Sequence, residues 1–356
     1  DWSSDVCSSD LKSELNTHID LIIQNNNIVN TLSKDEKAEI ICHETIFYAE
    51  SGGQISDHGY IFSDKFRAKV NSSKKLKLSN GKVIHLTSIT ITEGILSSGQ
   101  KVTQSIDLEL RKQISSHHSA THLLHESLRQ KLGLHVAQKG SLVTSDKLRF
   151  DFSHNKALTS KELKEIEDEV NYRIFCNDNV FTETMTFKEA TKTGAIALFG
   201  EKYGEEVRVV SIGKTNNNDR NAWSVELCGG THVKNTSEIS SFKIIAESGV
   251  SSGVRRIEAV TNKAAVKYYD DEINKIKYIA NFVKSNPAQV IQKIEHLVLE
   301  NEKINKELKS LKKNSNGFKN QSFKKESLKN ISFVYEIFDD LVVKDLKPTA
   351  ENIDRK

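Results

Sequence analysis

Residues His118–Val143 read HSATHLLHESLRQKLGLHVAQKGSLV. The first half has helical spacing: Ala120, Leu124, Leu128 and Leu132 recur every fourth residue, and the helical run reaches back to residue 111. Gly133 is a natural stop, because glycine takes backbone angles that end a helix without steric cost. The second half loses that period and predicts a strand over Gly140–Val143, with another over Leu148–Phe152. A helix running into paired strands predicts an α+β domain.

Working outward, the segment Ala38–Asp107 is strand-like. Short β-rich runs (Glu39–Ile41, Phe66–Val70, Lys82–Leu86, Val102–Ile106) alternate with turn clusters such as Ser51-Gly52-Gly53 and Asn80-Gly81. Many short strands with turn punctuation predict a small β-barrel over 38–110. Residues 12–37 are polar around one apolar knot, Leu21-Ile22-Ile23, and read as a helix or linker remnant. Residues 1–11, DWSSDVCSSDL, differ in texture from the Lys/Asn/Ile-rich remainder and read as a non-native tail.

Downstream, residues 159–175 predict an amphipathic helix capped by Thr159 or Ser160, with Leu163, Ile166, Val170 and Ile174 on one face. Val207–Val210 and Phe242–Ile245 predict strands, which completes an α+β block over 111–262. Residues 263–329 read as a helical linker. Within it Val290, Ile294, Leu297, Ile304, Leu308 and Leu311 occupy heptad a and d positions, with Asn301 at an a position. That pattern suits a coiled coil or a long helical hairpin, and self-association through it is expected. Residues 330–356 read as the start of a further, incomplete domain.

Composition narrows the class. In 356 residues, 37% are hydrophobic and 28% charged, which predicts a soluble globular chain. Four scattered cysteines exclude a disulfide scaffold. No apolar run is long enough to span a membrane, so no membrane partner is expected and a cytoplasmic location is. A net charge of +3 permits a nucleic-acid partner without arguing for one.

The chemical signal lies in two short stretches. His118 and His122, four apart on the predicted helix, project from one face, with Cβ atoms about 5–6 Å apart. Cys228-Gly229-Gly230-Thr231-His232 offers a thiolate and an imidazole from a turn. Each pair alone is a weak signal; together they make a tetrahedral donor set, and imidazole with thiolate favours zinc. His117, His125 and His135 crowd the same region, and a helical histidine is more often packed or solvated than a ligand.

Five stretches then carry a resemblance: TIFYAESGGQISDHG at Thr45–Gly59, the helix–strand stretch His118–Val143, LRFDFSH at Leu148–His154, ELCGGTHV at Glu226–Val233 and SGVSSGVRRIEAVT at Ser248–Thr261. In content, order and spacing, residues 38–260 resemble the editing region of the alanyl-tRNA synthetase family. The resemblance implies a second-additional-domain fold of the threonyl/alanyl type after the barrel. It implies zinc held by His118, His122, Cys228 and His232, and hydrolysis of serine or glycine wrongly attached to tRNA(Ala). It also implies a parent ligase that uses ATP and Mg2+ in an aminoacylation domain preceding residue 38 and missing here. Ile46 stands where the family usually has Pro, and His117 where it often has Asn.

An editing site should recognise what serine has and alanine lacks. The Thr121 hydroxyl, between the two helical histidines, and the Gln138 amide are the polar candidates, and by resemblance both belong to the pocket. For Thr121 the alternative is a hydroxyl bonded to its own helix backbone; for Gln138 it is an exposed loop side chain. The tRNA 3′ acceptor end would meet basic residues, with Arg129, Lys139, Arg255 and Arg256 as candidates. Arg256 could equally pair internally. Gly52-Gly53-Gln54 also occurs as the tripeptide of peptide release factors, but its flanks here fit the synthetase family. It reads as a glycine turn bordering the pocket or a plain barrel corner.

Overall fold

The computed structural model describes residues 12–79, 81–196, 204–214, 222–315, 324–329, 331–335 and 347. The proposed tail over 1–11 lies outside them. The chain divides into two units, residues 1–271 and 272–356.

The first unit opens with six antiparallel strands: β1 (Glu14–Gln24), β2 (Lys37–Cys42), β3 (Gly59–Ser63), β4 (Phe66–Lys77), β5 (Val83–Gly94) and β6 (Lys101–Ile106). Their order is β1-β2-β5-β4-β3-β6, and β6 pairs back onto β1, so the sheet closes into a barrel. Alternation fills it. In β4, Phe66, Ala68 and Val70 are buried while Arg67 and Lys69 are exposed. Ile19, Ile22, Ile40, Ile61, Ile89, Ile91 and Val102 complete the core. Gln104 is a buried polar residue within it. Its amide is consumed, accepting from the Ile46 N–H at 3.0 Å and donating to the Glu44 carbonyl at 3.0 Å.

This corrects the expectation for residues 12–37, which supply a barrel strand rather than a helix or linker remnant. The barrel runs from residue 14 to 106 and does not begin at 38. The period-2 signal of β1 is masked by a β-bulge between Ile19 and Leu21, so buried Ile19 and Ile22 stand three apart.

The barrel leads into α1 (Leu108–Leu132). Asp107 caps it, its carboxylate accepting from the N–H groups of Glu109 and Leu110 at 3.1 Å each. Gly133, at φ 114°, ends it. The strands β7 (Gln138–Val143) and β8 (Leu148–Ser153) follow, then α2 (Ser160–Phe175), which starts in a Thr159–Glu162 capping box. Next come β9 (Asn179–Thr186), α3 (Phe187–Lys192), β10 (Glu206–Lys214), β11 (Ser224–Leu227), β12 (Phe242–Ser251) and β13 (Val254–Thr261). Two antiparallel sheets result, β7-β8-β13-β12 and β9-β10-β11. One core joins Leu123, Leu124 and Leu128 of α1, Ile166, Val170 and Ile174 of α2, and Phe150, Phe152 and Ile257 of the four-stranded sheet.

A buried ion pair ties the barrel loop to α1. The Arg111 guanidinium donates to both carboxylate oxygens of Asp57, with Nε to Oδ1 at 2.7 Å, and to the Ile46 carbonyl at 3.2 Å. Asp57 also accepts from the Tyr48 N–H at 2.7 Å.

The helix α4 (Asn262–Phe282) follows the α+β block, and the second unit contains α5 (Val290–Ser315) and a hairpin of β14 (Lys324–Leu328) with β15 (Ile331–Tyr335). The heptad residues Ile294, Leu297, Ile304, Leu308 and Leu311 lie exposed on α5. The hairpin corrects the domain reading, because it straddles the boundary drawn at 329/330. No described helix is long and apolar enough to cross a membrane.

Removing one partner of a buried pair leaves an uncompensated charge. Asp57→Ala is therefore expected to lower stability by about 3–5 kcal/mol, read by urea unfolding of the full chain.

Candidate metal centre

The middle of α1 is buried on every side: Ser115 through His125 are all nearly inaccessible. His118 and His122 lie one turn apart on it, with rings stacked at 5.4 Å and 12°. The loop leaving β11 brings Cys228 and His232 against them. The Cys228 Sγ sits 3.3 Å from His118 Nε2 and 3.4 Å from His232 Nε2. The His232 ring lies 4.5 Å from that of His118 and 5.0 Å from that of His122. One donor atom from each of these four residues falls within 4.8 Å of the others. Tetrahedral bonds to nitrogen and sulfur give edges of about 3.3–3.6 Å, so the thiolate-to-imidazole separations fit a single ion.

The outer contacts point the same way. Each imidazole uses Nδ1 on a protein partner: His118 on Gln54 Oε1 at 2.6 Å, His122 on Glu226 Oε2 at 2.8 Å and His232 on Ser119 Oγ at 3.1 Å. This fixes ring orientation and turns Nε2 to the interior, as metal-bound histidines require. The His122 Nε2 is buried and makes no protein hydrogen bond, an orphaned polar atom that a metal would satisfy. Burial raises the Cys228 thiol's pKa, but the imidazoles of His118, His232 and His122 outweigh it and hold the group well below its ordinary value. A thiolate is the form that binds metal. The Gly230 N–H donates to Cys228 Sγ at 3.4 Å. A Cβ on Gly230 would lie 1.9 Å from the His118 ring, so only glycine lets the loop close.

Glu226 and Ser119, which orient two of the imidazoles, escape the sequence reading. Gln54, read there only as part of a glycine turn, is fully buried. Its carbonyl accepts from His118 and from the Thr231 N–H at 2.9 Å, while its NH2 donates to Thr231 Oγ at 3.0 Å. The turn before it stands on Gly52 and Gly53 at φ 58° and 82°, and a Cβ on Gly53 would strike the Ser141 carbonyl at 2.3 Å. A tight turn pressed on β7 thus delivers a barrel residue to the metal set. Two glycines before a glutamine are its sequence signal. For Glu226 the signal is its place two residues before Cys228.

The other histidines are sorted by their partners. His117 is a core residue and not a competing ligand. Its Nδ1 donates to the Thr144 carbonyl at 2.9 Å, and its Nε2 accepts from the Thr261 N–H at 3.1 Å. Burial pushes it down to about 4. His125 shares Glu226 with His122, its Nδ1 3.0 Å from Oε1. Burial raises the Glu226 carboxyl, but His122 and His125 outweigh that and hold it below its ordinary range.

The remaining candidates divide. The Thr121 hydroxyl, buried between the helical histidines, donates to the His117 carbonyl at 2.9 Å. Gln138 is half-buried on β7, and Lys139 is exposed beside it. Arg129 turns back on its own helix end, donating to the Val136 carbonyl at 3.0 Å. Arg255 pairs with Glu247, Nε to Oε1 at 2.6 Å. Arg256 forks onto Asp151 at 2.6 and 2.7 Å. Both arginines are thus engaged internally.

Comparison with known proteins decides the family. Residues 207–258 match the model "Threonyl and Alanyl tRNA synthetase second additional domain". Residues 5–110 match "tRNA synthetases class II (A)", and the described part of that stretch is the barrel and the start of α1. Alanine–tRNA ligase of Acetivibrio thermocellus is 41% identical over 347 residues, 97% of this chain and 38% of the relative. That of Chelativorans sp. is 39% identical over 336 residues, 93% and 37% respectively. That of Thermoanaerobacter sp. is 42% identical over 321 residues, 87% and 35%. The chain belongs to the alanyl-tRNA synthetase family. It spans little more than a third of these relatives' length.

Two predictions follow from this geometry. Gln54→Ala frees the His118 ring and should weaken metal binding about 10–100-fold, measured by cobalt titration of the full chain. His117 is held neutral in the fold, so its contribution is full above pH 6.5, its ordinary value, and is lost as pH falls towards about 4. Urea unfolding across that window should show a slope of up to about 1.4 kcal/mol per pH unit that His117→Asn reduces.

Proposed function

We propose that this chain carries the editing site of an alanyl-tRNA synthetase and hydrolyses Ser-tRNA(Ala) and Gly-tRNA(Ala). The observation that carries the reading is the convergence of His118, His122, Cys228 and His232, each imidazole oriented by a protein partner, in a chain of this family. The need is physical. A pocket for alanine cannot strongly exclude smaller glycine, nor serine with its one added hydroxyl. A methylene is worth about 1–3 kcal/mol of discrimination, so a second, hydrolytic site restores accuracy.

In this reading the ion is Zn2+, which the three imidazoles and one thiolate suit. When bound, it supplies Lewis acidity and positive charge to a polar group placed against it. The chain's residues do the rest. Thr121 has committed its proton to the His117 carbonyl, which leaves its oxygen lone pair as the acceptor proposed here for a serine hydroxyl. Gln138 offers both a donor and an acceptor to the aminoacyl group. Hydrolysis adds water oxygen to the aminoacyl carbonyl carbon and breaks its bond to the ribose oxygen, which leaves with a proton. Lys139, Arg129, Arg255 and Arg256 are proposed to meet the acceptor-end phosphates, the arginines while keeping their internal contacts. The exposed heptad face of α5 is proposed to pair with a second such face.

The test is deacylation of Ser-, Gly- and Ala-tRNA(Ala) by the zinc-loaded chain. Serine and glycine should be released and alanine retained. A folded Cys228→Ala chain should lose zinc and lose at least the about 10–100-fold of activity that disturbing an outer contact costs. Undiminished hydrolysis by that chain without zinc would refute the metal's part; no hydrolysis by the loaded wild type would leave a zinc-stabilised RNA-binding module.

A further inference from the structure

A second cluster of metal-type donors lies on the barrel wall, outside the centre described above. β1 and β2 pair antiparallel, and the register slips between Ile19 and Leu21, so Asp20 is the extra residue of the bulge. His18 stands just before the slip. His43 follows Cys42, the partner of Ile19, and its N–H donates to the His18 carbonyl at 3.1 Å. The two histidines are thus cross-strand neighbours, with rings stacked at 4.7 Å and 20°.

A bulge re-aims a side chain, and here it brings Asp20 to both rings. Its Oδ1 is 3.0 Å from His18 Nε2 and its Oδ2 is 3.8 Å from His43 Nδ1. One donor atom from each residue lies within 4.8 Å of the other two. The side chains of His18, Asp20 and His43 are 45%, 41% and 64% exposed, so core packing does not hold them together.

We propose that His18, Asp20 and His43 form a second site, open to solvent, for a divalent cation of the zinc or nickel class. Two imidazole nitrogens and one carboxylate oxygen suit such ions, and water completes the coordination where the protein leaves positions open. The site takes no part in hydrolysis. Its consequence is mechanical: β1 joins β2 on one side and β6 on the other. A cation held across β1 and β2 fastens the strand that closes the barrel. A ligand that binds only the folded form raises its stability by mass action.

The experiment uses the full chain and Zn2+ or Ni2+ alone, and it is independent of deacylation. Equilibrium dialysis against Zn2+ with metal analysis should give two equivalents for wild type and one for His18→Ala or His43→Ala. The midpoint of thermal unfolding should rise when Ni2+ is added to wild type carrying a single equivalent of zinc, and stay unmoved in His43→Ala treated the same way. Deacylation should be the same in all three proteins. His43→Gln, which keeps a polar side chain of similar length, repeats the comparison if the alanine variant fails to fold. Equal metal content in wild type and the histidine variants overturns the site, whatever the first centre holds.

Discussion

The middle of α1 is buried on every side and yet is polar, and that constraint shapes the rest of the site. Ser115, His117, His118, Ser119, Thr121, His122 and His125 are all nearly inaccessible. A buried polar group without a partner costs about 1–3 kcal/mol, so each needs one: Thr121 finds it on α1, in the His117 carbonyl, and the others are answered from other elements. Thr231 answers Ser115, Thr144 and Thr261 answer His117, Gln54 answers His118, and Glu226 answers both His122 and His125. The partners come from the barrel loop, from the four-stranded sheet with the turn after β7, and from β11 with the loop that follows it. Satisfying one helix therefore specifies where three distant parts of the chain must meet.

Legibility in the sequence follows from how local each cause is. The two histidine pairs and the glycines between Cys228 and His232 are local, and the donor set they predict is the set that converges. α1, α2 and most strands carry their own period and caps, so Gly133 and Thr159 were readable as helix ends. β1 was not, because a bulge broke its alternation and its partners lie on both sides at long range. The roles of His117 and His125 were not readable from spacing either. Both share a helix with His118 and His122, and only what faces each ring separates a core residue from an outer partner. Arg255 and Arg256 follow a glycine loop that suits phosphate, but β8 and β12 set Asp151 and Glu247 beside them.

Gln54 shows why the barrel and the metal set belong to one argument. Its amide is a rigid connector with one end on His118 and the other on Thr231, inside the loop that also carries Cys228 and His232. A shift of the glycine turn on β7 would reach the His118 ring through the Gln54 side chain, whose amide is pinned at both ends. The Arg111–Asp57 pair anchors the far end of the same loop to the start of α1. Barrel loop and helix are thus joined at two points, Arg111 near the helix start and His118 two turns on, which fixes the helix against the barrel at the first of its two donor histidines.

Charge balance makes the final link. Glu226 is buried and Cys228 half-buried, and both are held towards their ionised forms, a costly arrangement unless positive charge lies close by. Burial works against a charged His122, but Glu226 and Cys228 overcome it and push the imidazole up to about 10. The polypeptide can therefore meet the demand with a proton on His122. A dication among the four donors would meet it through Nε2 while Nδ1 keeps Glu226. Proton and dication would then compete for one electrostatic role, because a metal displaces protons from its donors. The Glu226 carboxylate, two residues before Cys228, pairs with His122 in either case.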